Sequence, residues 1–408
     1  AVYLLLLGVQ ENHRGALILS ASSVALGLGT KQTFYFLLPG LGISILLVYK
    51  KYGKPIFRNI LFWGMSLLFA FIGFASYINI TNWHHFGTPF GPPKMMEKSV
   101  GGEDINEITN HLAYNIPRLL YQAIDTSGLP RPLNGYGHKA KAKISEYIFN
   151  AIDFEIEGTQ YTAPGHEFLL SEQNQPQEDH AWYGLVSALF LFPAMVHQLI
   201  KGIRTKEWIR VGLVFNFISF LVVTAWLRPG WDPYQGRYFA PVIALNTPLI
   251  AEWFNSTRKA YFARWSLVIL SLIIATTTAL YNPAKPMIGK FSDRVDVWNA
   301  SRIDIQTIQS SNRRQMLLLI DKEVPSNAIL GIYTPSYILD YPLFGEYFTR
   351  RLIPVYPLEN LENNEWLEEQ GIEYLLIQSP TNDSLSLPSD LELINISGTW
   401  ALYKRERP

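Results

Sequence analysis

Between residues 226 and 241 two arginines and an aspartate stand among five large aromatic side chains: Trp226, Trp231, Tyr234, Tyr238 and Phe239. Pro229, Gly230, Pro233 and Gly236 make the stretch a turn. A turn needs neither Arg228 and Arg237 nor Asp232. A guanidinium holds a phosphate through two parallel hydrogen bonds, so this pair is equipped to bind an anion. Two readings fit the residues: an aromatic belt whose arginines snorkel to a membrane surface, or a phosphate clamp at the same depth. Lys31, in a short polar turn between two apolar runs, is a further point charge of the same kind. Glu178-Asp179-His180-Ala181-Trp182-Tyr183-Gly184 repeats the polar-aromatic mixture ahead of another apolar run, where an acid also serves as an ordinary helix cap. Trp83-His84-His85 is no metal site, because adjacent side chains on a helix point apart. No cofactor is read from the sequence, and a divalent metal is left open.

The elements that must position these residues are apolar. Runs at 15–29, 34–49, 59–80, 181–200, 211–227, 238–254 and 265–281 approach the ~20 residues a bilayer requires. They are expected to be seven spans, with residues 4–9 as the tail of another. Residues 81–179 are too long for a simple connection, and helical spacing is read at 103–126, with Pro117 as a kink, and at 139–152. Lys50, Lys51, Lys54, Arg58, Lys201, Arg204, Lys206, Arg210, Arg258, Lys259 and Arg264 all fall on one side if each span crosses once. Lys31, Arg228 and Arg237 fall on the other, which is therefore extracytoplasmic.

Residues 285–408 carry 17 Asp and Glu against 12 Lys and Arg, which argues against a nucleic-acid face. Short apolar runs at 328–333, 352–355 and 374–377 read as strands, 391–396 and 399–403 as a closing hairpin, and 359–370 as a helix capped by Gly371. No Gly-rich phosphate loop follows a strand, so this part is expected to be accessory or acceptor-binding. The absence of cysteine excludes disulfides and thiol catalysis. The expected fold is mainly α: a polytopic transmembrane bundle with helices in 1–80 and 181–281, an extracytoplasmic loop subdomain at 81–180, and an extracytoplasmic α/β domain at 285–408.

The spans in 16–49 with Thr30-Lys31 between them, the 178–184 motif, Gly236-Arg237-Tyr238-Phe239-Ala240-Pro241 and the α/β tail together resemble the C-terminal two-thirds of a GT-C glycosyltransferase. The nearer likeness is to the bacterial branch similar to dolichyl-phosphate-mannose–protein mannosyltransferases (glycosyltransferase family 39). It covers most of 1–281. The resemblance implies a multi-pass enzyme of the inner or plasma membrane. Such an enzyme moves a sugar from a polyprenyl-phosphate donor to a lipid, glycan or protein acceptor. Lys31, Arg228 and Arg237 would bind the donor phosphate, and Asp179, His180, Trp182, Asp232, Tyr234 and Tyr238 would contact substrate. The family carries its catalytic acid in a first outer loop that the start of this chain does not offer. The catalytic base is therefore expected upstream of Ala1, with an N-terminal truncation, and Asp179 is the fallback. A ligase or polymerase using a diphosphate-linked donor and a membrane transporter are the rival readings; a transporter should show internal repeats and charges near span centres.

Overall fold

A long apolar run in lipid must satisfy its own backbone polar groups, and a helix does so within one segment. Among the described residues five helical stretches are long and apolar enough to cross a membrane: Gln32–Tyr52, Phe57–Phe74, Gly184–Thr205, Trp208–Leu227 and Ala260–Tyr281. The structure, a computed structural model, describes residues 1–408 apart from 54–55, 91–103, 178, 181, 229, 255–257, 290–296, 308–310, 335–340, 357, 379–386 and 406–408. Lys54, Glu178, Ala181 and Pro229 thus lie outside the described residues. The chain divides into two units, Ala1–Ala279 and Leu280–Pro408.

The first unit is built from α1 (Val2–Gln10), α2 (Arg14–Thr30), α3 (Leu38–Tyr52), α4 (Phe57–Phe74), α5 (Ser76–Phe86), α6 (Ile105–Ala123), α7 (Leu133–Ala151), α8 (Phe192–Thr205), α9 (Trp208–Leu227), α10 (Ala240–Asn246) and α11 (Arg258–Tyr281). A π-helical turn, Ser187–Leu191, leads into α8. Three expected spans differ. Residues 15–29 form α2, an apolar helix shorter than the five. Residues 238–254 run through 3-10 pieces, Gln235–Phe239 and Thr247–Phe254, on either side of α10. Pro248 has no N–H for the helical ladder, and its ring collides with the preceding turn. Residues 59–80 break at Ala75, where α2 presses close: a Cβ on Gly29 would lie 2.8 Å from the Ala75 Cα. Pro117, by contrast, sits inside α6, which continues through it.

Small residues let helices approach. A Cβ on Gly40 of α3 would lie 2.8 Å from the Cα of Asn216 on α9, and Ser44 Oγ donates to Gly212 O at 3.0 Å. Asn216 Nδ2 donates to the Ser44 hydroxyl in turn. The contacts 40 to 216 and 44 to 212 run in opposite senses, so α3 and α9 are antiparallel.

Residues 104–180 do not build a separate core. Leu119, Tyr121, Ile156, Phe168 and Leu170 share one apolar cluster with Phe217, Phe220 and Phe239. Arg118 locks this layer. It is 0% exposed, donating from Nε and Nη2 to Ile156 O at 2.9 and 2.7 Å and from Nη1 to Gln160 O at 2.6 Å. Tyr114 and Phe168 flank its guanidinium.

The second unit holds β1 (Ile329–Tyr333), β2 (Arg351–Pro354), β3 (Tyr374–Gln378), β4 (Leu391–Ser397) and β5 (Trp400–Arg405), in the order β2-β1-β3-β5-β4. β1 pairs in parallel with β2 and β3, and β5 runs antiparallel to β3 and β4. Alternation splits the sheet between two cores. Leu330, Tyr374 and Leu376 pack with the helix Ser311–Glu323 on one face, and Leu375 and Ile377 pack with Leu361 and Leu367 on the other. The helix expected at 359–370 is two pieces, Leu358–Leu361 and Asn364–Glu369. Asn363 restarts it by accepting the Trp366 N–H at 3.1 Å. Gly371, at φ +67, follows it and closes the end, with Ile372 N donating to Leu367 O.

Arg118→Met keeps the apolar stem but strands the Ile156 and Gln160 carbonyls, a loss of about 2–4 kcal/mol. The midpoint of thermal unfolding in detergent should fall by roughly 5–10 °C. A fall of less than about 1 °C would remove Arg118 as the lock.

Candidate functional site

The turn after α9 is fastened to the 156–163 segment that Arg118 holds. Trp231 N donates to Tyr161 O at 2.9 Å, and Ala163 N donates to Trp231 O at 2.8 Å. Gly230 makes this possible. Its φ is +138, and a Cβ there would lie 2.4 Å from the Thr162 carbonyl carbon. Trp231 was expected at the headgroup belt. It is instead 3% exposed, with its ring against Phe168 and its indole N–H on Gln122 Oε1 at 2.8 Å.

The fastened turn brings three cations to one ring. Lys31 Nζ lies 4.4 Å, Arg228 Cζ 5.1 Å and Arg237 Cζ 5.5 Å from the centroid of Tyr238. Lys31 caps the end of α2 and Arg228 the end of α9. Arg237 does not open an α-helix, as its position before an apolar run suggested. It sits in the 3-10 turn Gln235–Phe239, which runs into α10 at Ala240.

Two carboxylates partner the arginines differently. Asp232 is 4% exposed, accepting from Arg228 Nη2 at 2.7 Å and from Tyr234 N at 2.8 Å. Asp179 meets Arg237 Nη1 at 2.5 Å, with both side chains more than 40% exposed. Such an exposed pair is worth under ~1 kcal/mol, so a stronger anion can displace Asp179. Among the described residues no carboxylate pairs with Lys31. Among the described residues three cations against two carboxylates leave one positive charge at the cluster.

His180 stacks edge-on against Tyr234 at 4.7 Å between centroids, and burial pushes its pKa below the usual imidazole range while Asp179 opposes the shift. Trp182 is buried against Phe239 rather than presented to solvent. Beside His180 lies a small polar cavity of about 20 Å³, lined also by Gln122, Lys141, Glu172 and Trp231, which is room for a water or small ion. Lys141 hangs over the Tyr121 ring at 3.8 Å, and burial lowers its pKa to about 8, against the pull of Asp125.

All nine residues singled out from the sequence therefore lie in the described part. Lys31, Asp179, Arg228, Asp232, Arg237 and Tyr238 are joined by direct contacts, and His180 is linked to them through Tyr234, whose ring lies 6.0 Å from Arg237 Cζ. Trp182 is a supporting core residue. Sequence reading missed Arg118 and Lys141, because nothing in a helical pattern says which cation will be buried. Gly230 reads in the sequence only as a turn residue; its positive φ is legible in Pro229-Gly230, its partner segment at 161–163 is not. Among the described residues no group of three or more His, Asp or Glu is arranged to hold a metal. No protein-family model matches the chain, and no curated protein matches it.

Lys141 gives a pH signature. The folded pKa of about 8 lies below the ~10.4 of an unfolded lysine. Between these values the unfolded chain holds more protons, so stability rises with pH across that window. Relative to Lys141→Met, the parent should gain thermal stability between about pH 8 and 10 and show no further change below 8. A flat difference across that window would mean a solvated lysine.

Proposed function

We propose that the chain is a multi-pass membrane glycosyltransferase acting on a polyprenyl-phosphate-linked sugar. The observation that carries this reading is the meeting of Lys31, Arg228 and Arg237 around Tyr238, at the ends of apolar helices. Lys50, whose ammonium lies over the Trp208 ring at 4.0 Å, marks the other end of the α3–α9 pair. The basic residues Lys50, Lys51, Arg58, Arg204 and Lys206 make that end cytoplasmic under the positive-inside rule. The three-cation cluster then lies at headgroup depth on the outer face, where a lipid-borne phosphate also lies.

In this reading the phosphate takes Arg237 from Asp179 and gains Lys31 as a second cation, with Arg228 held in place by buried Asp232. The acceptor hydroxyl oxygen attacks the anomeric carbon as the bond from that carbon to the phosphate oxygen breaks. Positive charge develops on the sugar and negative charge on the departing phosphate, which the cluster stabilises. The hydroxyl proton passes to a carboxylate. Asp179, released from Arg237, is the candidate the described residues offer. The second unit would present or bind the acceptor.

Two experiments test the reading. The chain has no cysteine, so single reporters carry no background. Cysteine at Ser145 should react with an impermeant thiol reagent from outside the cell and cysteine at Thr205 should not; the reverse pattern overturns the orientation. Arg237→Lys keeps the charge and loses the fork, so donor affinity should fall by roughly one to two orders of magnitude with expression intact. Affinity within about twofold of the parent would leave only an aromatic-belt turn.

A further inference from the structure

A second cavity, of about 250 Å³, shares no lining residue with the cation cluster. Ser271, Ala275 and Thr278 on one stripe of α11 face Gly128, Trp182 and Gly184 across it. Three features define its occupant. First, α11 leaves its most apolar stretch unburied by protein, with Leu272 61% and Ile269 53% exposed, so one wall of the cavity is a helix that meets the surrounding medium. Second, the lining is without a cation. Its one carboxylate, Asp125, is saturated by Ser127 N and Oγ at 2.8 Å each and Trp182 N at 3.1 Å. A phosphate has no place there. Third, the apolar walls carry the hydroxyls of Ser271 and Thr278. Donors in an apolar cleft call for a neutral acceptor.

An isoprenoid chain has no such acceptor, and its phosphate needs cations. A diacyl phospholipid carries ester carbonyls at the boundary between its chains and its headgroup. We propose that this cavity holds the ester region and upper acyl chain of one membrane diacyl phospholipid, which joins α11 to the loop at 125–129 and to the start of the Gly184–Thr205 stretch. The inference rests on α11 being a membrane span and is independent of sugar transfer.

The test is native mass spectrometry of the full chain, delipidated in detergent and titrated with dioleoyl phosphatidylglycerol. The parent should retain one lipid per chain, and excess polyprenyl phosphate should not displace it. Ala275→Phe fills the cavity and should abolish retention. Thr278→Val keeps the side chain's shape, removes the hydroxyl and should weaken retention about fivefold, the worth of one hydrogen bond. Leu272→Phe, on the outward side of the same helix, should change nothing. The proposal is overturned if the parent retains no lipid, if Leu272→Phe and Ala275→Phe behave alike, or if polyprenyl phosphate displaces the bound lipid. Lipid binding lost with the cysteine labelling pattern intact would sink this site alone and leave the membrane reading standing.

Discussion

A guanidinium buried without a carboxylate is the constraint from which the site follows. Arg118 is shielded from water on every side, and burial lowers its pKa to about 10, so it keeps its charge at neutral pH. Such a charge is tolerated only when its donors are met, and three of them are, by the carbonyls of Ile156 and Gln160. The segment they fix continues straight into residues 161–163, which pair with Trp231 through the backbone. The cation cluster therefore takes its geometry from a residue that touches none of its members.

Within the cluster the two carboxylates have unequal duties. Asp232 is buried and bonded to both a guanidinium and a backbone N–H, so it sets the direction of Arg228. Asp179 lies in water, where its pairing with Arg237 is weak and screened by salt. One arginine is thus fixed and the other is exchangeable.

The sequence revealed most about residues whose position follows from polarity alone. Lys31, Arg228 and Arg237 fall on one side of the membrane if each apolar run crosses once, and in the structure they stand around one ring. Strands β1 and β3 were legible because a strand buried on both faces reads as a continuous apolar run. Failures came where local chemistry overrode that pattern. Pro248 broke an apolar run of sufficient length, and the close approach at Gly29 broke another at Ala75. Trp231 looked like an interfacial ring but lies in the core, because its placement depends on a pairing with residues 161–163 that no local pattern encodes. Arg118 and Lys141 were invisible for the same reason: burial is a property of the partner surface.

The contact between Gly40 and Asn216 has a mechanical meaning. Backbones that meet this closely, with Ser44 tied to Gly212 and Asn216, cannot slide past one another without breaking both the packing and the bonds. α3 and α9 therefore act as one stiff strut, with Lys50 and Trp208 at one end and the cations near Tyr238 at the other. In a membrane, a strut of fixed length works as a depth gauge. A thinner or thicker bilayer shifts the headgroups relative to the cations, or tilts the whole strut, instead of letting the two ends adjust separately. Under the proposed sugar transfer, the lipid composition of the membrane would then set how well the cations and a lipid-borne phosphate meet.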